Sequence, residues 1–539
     1  MPAPTLRLRP GDVLTLHIQN ELPAAPTKCK RAMLATPEVG NGDAECENTF
    51  HNVNDLNIHT HGLHVSPLYD NVFVRHPPGT FWRYVIPIRG NHAAGTFWWH
   101  PHVHGAGCAQ VASLAAGVIV IEDDPARRVY AEEKVLMLQE WRFSGLASLP
   151  SLLKASFASD YPLVAQQLSH TCGFDPATFD PSSWHVQLDP KCSFTVVNNA
   201  LRPTTRVRAG TWTRLRFVAG TWSGALALAV TGPSCEAYLL ALDGNPLQPR
   251  PLPLSQAQLS SGGLVLGPGQ RADVALRCRP PAPGEEPPAL VAMPKVNGDD
   301  VFGAWFQLYL PNDVNTAPVV LMDISVSPSD GGSTGDAPPL ALPPGAMSYL
   351  GSLLQAEVTQ RHSWAFDSAL FCERMNASSC NNLPRPLPSG LLARAAAQHA
   401  AHPQKQLTGF STKGLDDITS IFYINGDLYR GEGAPALHAR VGDVHEWTLT
   451  AGWVTAHVMH LHAVPFQIVS YDKPGEHGGG GAGAYLRGRW VDSVIVPAGG
   501  SVTIRLRFAD HGPTLLHCHT LLHQDIGMAA VVDVQSATQ

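Results

Sequence analysis

One short phrase occurs three times in the chain, and it constrains the fold more than anything else. Pro4-Thr5-Leu6-Arg7-Leu8-Arg9-Pro10-Gly11 opens the sequence, Pro203-Thr204-Thr205-Arg206-Val207-Arg208-Ala209-Gly210 repeats its plan, and Pro435-Ala436-Leu437-His438-Ala439-Arg440-Val441-Gly442 repeats it again. Each copy runs into a stretch alternating between apolar and polar residues, at 13–18, 213–217 and 445–449. A second piece recurs later in each unit: Pro78-Gly79 before 81–88, Pro268-Gly269 before 272–276, and Pro497 with Gly499 before 502–508. A period of two lines one face of a strand. A turn followed by such a run is a hairpin or sandwich signature. Copies roughly 200 residues apart are too long for a solenoid unit. The chain is therefore expected to be all-β, with three consecutive β-sandwich domains at residues 1–130, 131–326 and 327–539. A stretch rich in Pro, Gly and Ser, about 327–346, separates the second from the third. Residues 391–402 read as a helix within the third unit. The glycines at 478–481 with Gly483 lack the strand–helix setting and the Lys-Ser/Thr of a phosphate loop and read as a surface loop.

Composition excludes several classes. Of 539 residues, 44% are hydrophobic and 15% charged, enough apolar material for several cores. A net charge of −7 argues against nucleic acid as a partner. The longest apolar stretch, 108–121, falls short of the ~18 residues a membrane span needs, so a soluble protein without a membrane span, working as a monomer, is expected. No basic segment followed by an apolar one opens the chain. Either the protein is intracellular or the numbering starts after a removed leader. The ten cysteines favour the second: Cys29 with Cys46, Cys172 with Cys192 and Cys372 with Cys380 are close pairs flanking loops, as in an oxidising, secreted or periplasmic setting. Cys235 with Cys278 is a further possible bridge, and Cys108 is the expected unpaired thiol. Asn376-Ala377-Ser378 is a glycosylation sequon.

Ten of the 25 histidines fall into four clusters: His59-Thr60-His61, His100-Pro101-His102, His457-Val458-Met459-His460-Leu461-His462, and His517-Cys518-His519 with His523. In a strand, residues i and i+2 face the same way. His59/His61, His100/His102, His460/His462 and His517/His519 thus give four side-by-side imidazole pairs. Imidazole suits copper, zinc, iron and nickel, and eight exceed the needs of one tetrahedral zinc. A multinuclear cluster at an interface of the first and third repeats is implied, with nothing comparable in the second. Cys518 points to the opposite face. With His457, His523 and Met528 it makes the two-imidazole, thiolate and thioether set of a blue-copper site, one peptide bond from cluster ligands. His64 and His104 flank the clusters and read as rim residues.

In this order the four clusters resemble those of the multicopper oxidases, which include laccases, bilirubin oxidases and metallo-oxidases. The resemblance implies three cupredoxin-like Greek-key sandwiches and four copper ions. His457, Cys518 and His523, with axial Met528, would hold a type 1 copper, and His59 with His460 a type 2. The two type 3 coppers would take His61, His100 and His519, and His102, His462 and His517. Asp70 follows His61 at the interval where many members keep an acid near the trinuclear centre. Where many carry Glu after the second type 1 histidine, this chain has Gln524, which cannot ionise. Asp70 and Asp525 are then the expected proton donors, and Gln524→Glu is expected to be tolerated. The implied reaction couples four one-electron oxidations of a phenol, aromatic amine or bilirubin-like pigment to reduction of O2 to two waters. A metallo-oxidase for Fe(II), Cu(I) or Mn(II) is the alternative, and a structural cupredoxin-domain protein without activity a distant third.

Overall fold

The computed structural model describes residues 3–24, 48, 50–123, 130, 132–142, 193–247, 251–255, 263–293, 318–328, 350–370, 420–452, 456–472 and 486–537. The helix expected at 391–402, the glycine run at 478–483, the sequon and the cysteines at 29, 46, 172, 192, 372 and 380 lie outside these residues.

The repeated phrase folds the same way each time. Its strand is Leu6–Leu8, Thr204–Arg208 or Leu437–Arg440. Gly11, Gly210 and Gly442 end the phrase at φ of 91°, 70° and 95°, a left-handed conformation open to glycine at little cost. One backbone bond closes each turn, from Asp12 N–H to Arg9 O, Thr211 to Arg208 and Asp443 to Arg440. The following strands are Val13–Gln19, Thr213–Ala219 and Val444–Ala451. Each pairs antiparallel with the strand after the second glycine turn, Phe81–Pro87, Arg271–Cys278 or Ser501–Arg507.

The pairing also repeats at the edges. The strand of the repeated phrase lies parallel to the last strand of its unit: Leu6–Leu8 beside Gly117–Ile121, Thr204–Arg208 beside Val319–Ser327, Leu437–Arg440 beside Ala529–Gln535. In the second and third units, a strand preceding the phrase adds a parallel neighbour, Glu132–Arg142 or Gln360–Leu370. The result is three consecutive all-β sandwiches with two short helices, Gly107–Ala112 and Leu521–Asp525, among the described residues. None of the described helices is long and apolar enough to cross a membrane. Leu14, Tyr84, Ile86, Phe97 and Ile119 form the core of the first unit, and a larger apolar cluster joins the interiors of the second and third. Cys235 and Cys278 pair across adjacent strands as a disulfide, and Cys108 is a buried thiol.

Candidate metal centre

Cross-strand register builds the site. In the first unit His59 lies opposite His100 and His61 opposite Trp98. In the third, His460 lies opposite His517 and Met459 opposite Cys518. Directly opposed residues share a face, so each unit presents one histidine-lined patch. The two patches meet: the rings of His59 and His462 stack at 3.9 Å between centroids, and those of His61 and His460 at 3.7 Å. Alternation along a strand explains these pairs only in part. His59 and His61 both lie in the strand His59–His61, but His102, His462 and His519 fall just past the ends of theirs. After His100, Pro101 has no N–H for the ladder, and Asn57 Oδ1 accepts the His102 N–H at 2.6 Å.

Hydrogen bonds on the outer nitrogens orient the rings. His59 Nδ1 donates to Asp70 Oδ2 (2.7 Å), whose other oxygen accepts the Thr60 N–H (2.8 Å). His100 Nδ1 donates to the Pro101 carbonyl, His460 Nδ1 to that of Asp492, and His517 Nδ1 to that of Cys518. The Nε2 lone pairs of these four rings then face inward. Those of His59, His100 and His460 are buried without a hydrogen-bond partner. His517 Nε2 instead meets His102 Nε2 at 3.2 Å and His462 Nε2 at 3.0 Å. His61 is turned the other way. Its Nε2 donates to Asp492 Oδ1 (3.1 Å), and its Nδ1 faces His519 Nε2 at 3.2 Å.

Burial first, and then the neighbouring imidazoles, drives His59, His100, His462, His517 and His519 well below the ordinary 6.5. His102 falls to about 3 by burial. These rings are neutral at pH 7 with lone pairs converging, a donor set that fits bound cations. Unpartnered buried nitrogens are costly unless something occupies them. His102, His462 and His517, and likewise His59, His61 and His100, bring ligand atoms within 4.8 Å of one another.

Cys518 faces away from this cluster, as alternation requires. Its Sγ lies 3.6 Å from both His457 Nδ1 and His523 Nδ1. Burial raises the thiol to about 11, so a thiolate there needs a cation beside it. The Met528 side chain is fully buried in the same core cluster, and its backbone bonds to both Cys518 and His523. Phe422 stacks on the His523 ring at 3.7 Å.

Other expected residues are placed differently. Asp525 is buried, but its carboxylate accepts the Gly105 and Cys108 N–H groups at the loop leading into helix Gly107–Ala112. His64 stacks on His92 (4.9 Å), and His104 Nε2 meets Asn48 Oδ1. The sequence reading missed Trp98, stacked on His100 at 4.2 Å, and the whole contribution of the second unit. Arg271 and Gly269 of that unit reach the cluster, where a Cβ on Gly269 would come within 2.8 Å of the His519 ring. Only the recurring Pro268-Gly269 turn marked this stretch in the sequence.

Two multicopper oxidase family models match the chain, over residues 43–126 and 399–538. Over 272 residues the chain is 24% identical to copper resistance protein A of Pseudomonas syringae pv. tomato and 25% identical to that of Escherichia coli. These matches cover 46% of this chain and only 38% of each relative. Among solved structures, a multicopper oxidase of Campylobacter jejuni described as a metallo-oxidase superposes with a TM-score of 0.62 at 18% identity, over 99% of this chain and 85% of that one. A laccase-like multicopper oxidase of Ochrobactrum sp. gives 0.60 at 20% identity, over 99% and 90%. The repeated sandwich and the four histidine clusters agree with these matches: the stretches at residues 43–126 and 399–538 are multicopper oxidase domains.

Proposed function

We propose that this chain takes electrons singly from a small reducing substrate at the His457–Cys518–His523 group and reduces dioxygen to two waters at the eight-imidazole cluster. Four coppers fit the donors: a type 1 ion at His457, Cys518, His523 and Met528, a type 2 ion at His59 and His460, and type 3 ions at His61, His100 and His519 and at His102, His462 and His517. The units at 1–130 and 327–539 supply the ligands and the unit at 131–326 none. Bound there, copper would supply the one-electron steps and the affinity for oxygen.

The observation carrying this reading is the shared strand end, where Cys518 Sγ joins one donor group while His517 and His519, one peptide bond away on either side, join the other. The protein's part is to hold each lone pair inward, to exclude water and to keep both groups on one stiff strand.

Among the described residues, Phe422, Ile526 and Met528 make the surroundings of His523 apolar, which favours a phenol or aromatic amine over a hydrated ion as donor. A metal-ion donor is the second reading, favoured by the likeness to copper resistance proteins. The Cys235–Cys278 disulfide supports a secreted or periplasmic location.

Oxygen uptake by copper-loaded protein with a phenol, bilirubin, Fe(II), Cu(I) and Mn(II) tests both readings, and the phenol should be turned over fastest. Metal analysis should find four coppers per chain and an intense blue absorption. Cys518→Ser should abolish the blue colour and substrate oxidation while the imidazole cluster still takes up metal. A colourless, fully active parent protein would refute the assignment.

A further inference from the structure

The second unit lends no ligand, yet it places a fully buried guanidinium against the cluster. Arg271 begins the strand Arg271–Cys278. Its Nη1 donates to Asp492 Oδ1 at 2.8 Å, and its Nη2 pairs with Asp492 Oδ2. Two further donors are anchored as well: Nη1 also reaches the Gly269 carbonyl (3.0 Å) and Nε that of Thr96 (3.4 Å). Asp243 completes the frame, accepting the Arg271 N–H on one oxygen and the Asp492 and Ser493 N–H groups on the other.

Asp492 thereby touches two stacked rings at once. Its carboxylate accepts from His61 Nε2 and its backbone carbonyl from His460 Nδ1. Ser493 Oγ bonds Asp492 Oδ1 (2.8 Å) and lies 3.2 Å from His460 Nδ1 and 3.3 Å from His61 Nε2. Gly62 follows His61 at φ 87°, and a Cβ there would overlap the guanidinium, so the ion pair passes through space that only glycine leaves open. An arginine fork fixes both oxygens of a carboxylate, which a lysine ammonium cannot do.

We propose that Arg271 is the positioning residue of the imidazole cluster: by fixing Asp492 it holds His61 with Nδ1 inward and His460 with Nε2 inward. The inference rests on the cluster being a copper site.

Arg271→Lys keeps a cation and removes the fork. Copper titration of the intact variant should show the cluster's affinity weakened ~10–100-fold, the usual effect of losing a residue that orients a ligand. The electron paramagnetic resonance hyperfine pattern of the copper bound by His59 and His460 should change. The blue absorption of the Cys518 group should stay near parental, while the thermal midpoint of the metal-free protein falls because several bonds of a fully buried guanidinium are lost. Parental affinity and hyperfine pattern in the variant would overturn the proposal. So would a fall of blue absorption in step with cluster copper, which marks a role in folding alone. If Arg271→Lys yields no folded protein, Ser493→Ala decides by the same readings: a changed hyperfine pattern supports positioning, and parental values overturn it. A folded parent that takes up copper only at the Cys518 group would refute the copper-cluster reading itself.

Discussion

His59 and His61 are two residues apart on one strand, yet they turn opposite nitrogens inward. The difference lies in their outer partners. Asp70 takes the Nδ1 proton of His59, and Asp492 takes the Nε2 proton of His61. The i, i+2 spacing made both rings legible as a pair, but ring orientation depends on carboxylates from a loop and from the third unit. The expectation for Asp70 is therefore sharpened. Its geometry is that of a residue orienting a ligand, at the place where the sequence called for a proton donor. Asp70→Asn keeps the shape and removes the charge. We expect reoxidation of the fully reduced enzyme by dioxygen to slow about 10–100-fold, while reduction of the blue group by substrate stays near parental. Stopped-flow mixing separates the two half-reactions, and parental reoxidation with full copper content would remove Asp70 from the mechanism.

At the level of elements, the helix Leu521–Asp525 was not legible. Its one turn contains His523 and begins two residues after His519, and five residues carry too little periodicity to announce a helix. The apolar stretch at 108–121 was likewise ambiguous and resolves into part of helix Gly107–Ala112 and the strand Gly117–Ile121. The Leu521–Asp525 helix changes what Gln524→Glu should do. Gln524 is buried, with Nε2 3.4 Å from Asp525 Oδ1. Burial already raises the Asp525 carboxyl to about 7. A glutamate at this position would set two buried carboxyls together, and like charges disfavour ionisation of both. The substitution, which the sequence alone suggested would be tolerated, should cost about 3 kcal/mol. A denaturant series on the metal-free protein measures it, and an unchanged midpoint would contradict the argument. The repeated turns, by contrast, were fully legible. Gly11, Gly210 and Gly442 mark the same left-handed corner in each unit, and a recurring glycine before an alternating run needs no tertiary knowledge to be seen.

Across the whole molecule, ion pairs run beside apolar packing at the joint between the first and second units, and nothing local in the sequence signals them. Arg7 of the first unit and Arg216 of the second converge on Glu133, at 2.7 and 2.9 Å. Arg214 and Arg216 also reach Asp273, which bonds Thr96. Burial favours neutral Glu133, but Arg216 and Arg7 outweigh it and hold the carboxyl at about 2, below its ordinary 4.5. Because the folded value is the lower one, the stabilisation is fully present above about 4.5 and is lost as pH falls toward 2. Glu133→Gln should therefore lower stability at neutral pH, and the gap from the parent should close across that window. A constant gap at all pH values would show that Glu133 acts through packing alone. The sequence showed the histidines of the first and third units because clustering is a local property. It hid Arg271, because a lone arginine in a strand looks the same whether it faces solvent or a buried carboxylate 221 positions away.

The separation of the two donor groups along the chain sets the order of assembly during synthesis. His457 and His523 lie 61 and 5 positions from Cys518, whereas His61 and His519 are 458 apart. A late stretch of chain therefore carries the whole Cys518 group except for its surroundings. The imidazole cluster is incomplete until the ribosome has passed His519 and the first unit has docked on the third, the kind of long-range closure that comes late in folding. Copper meeting the nascent chain before the third unit is made finds four of the eight cluster histidines, so the complete cluster is metallated only on the nearly finished polypeptide.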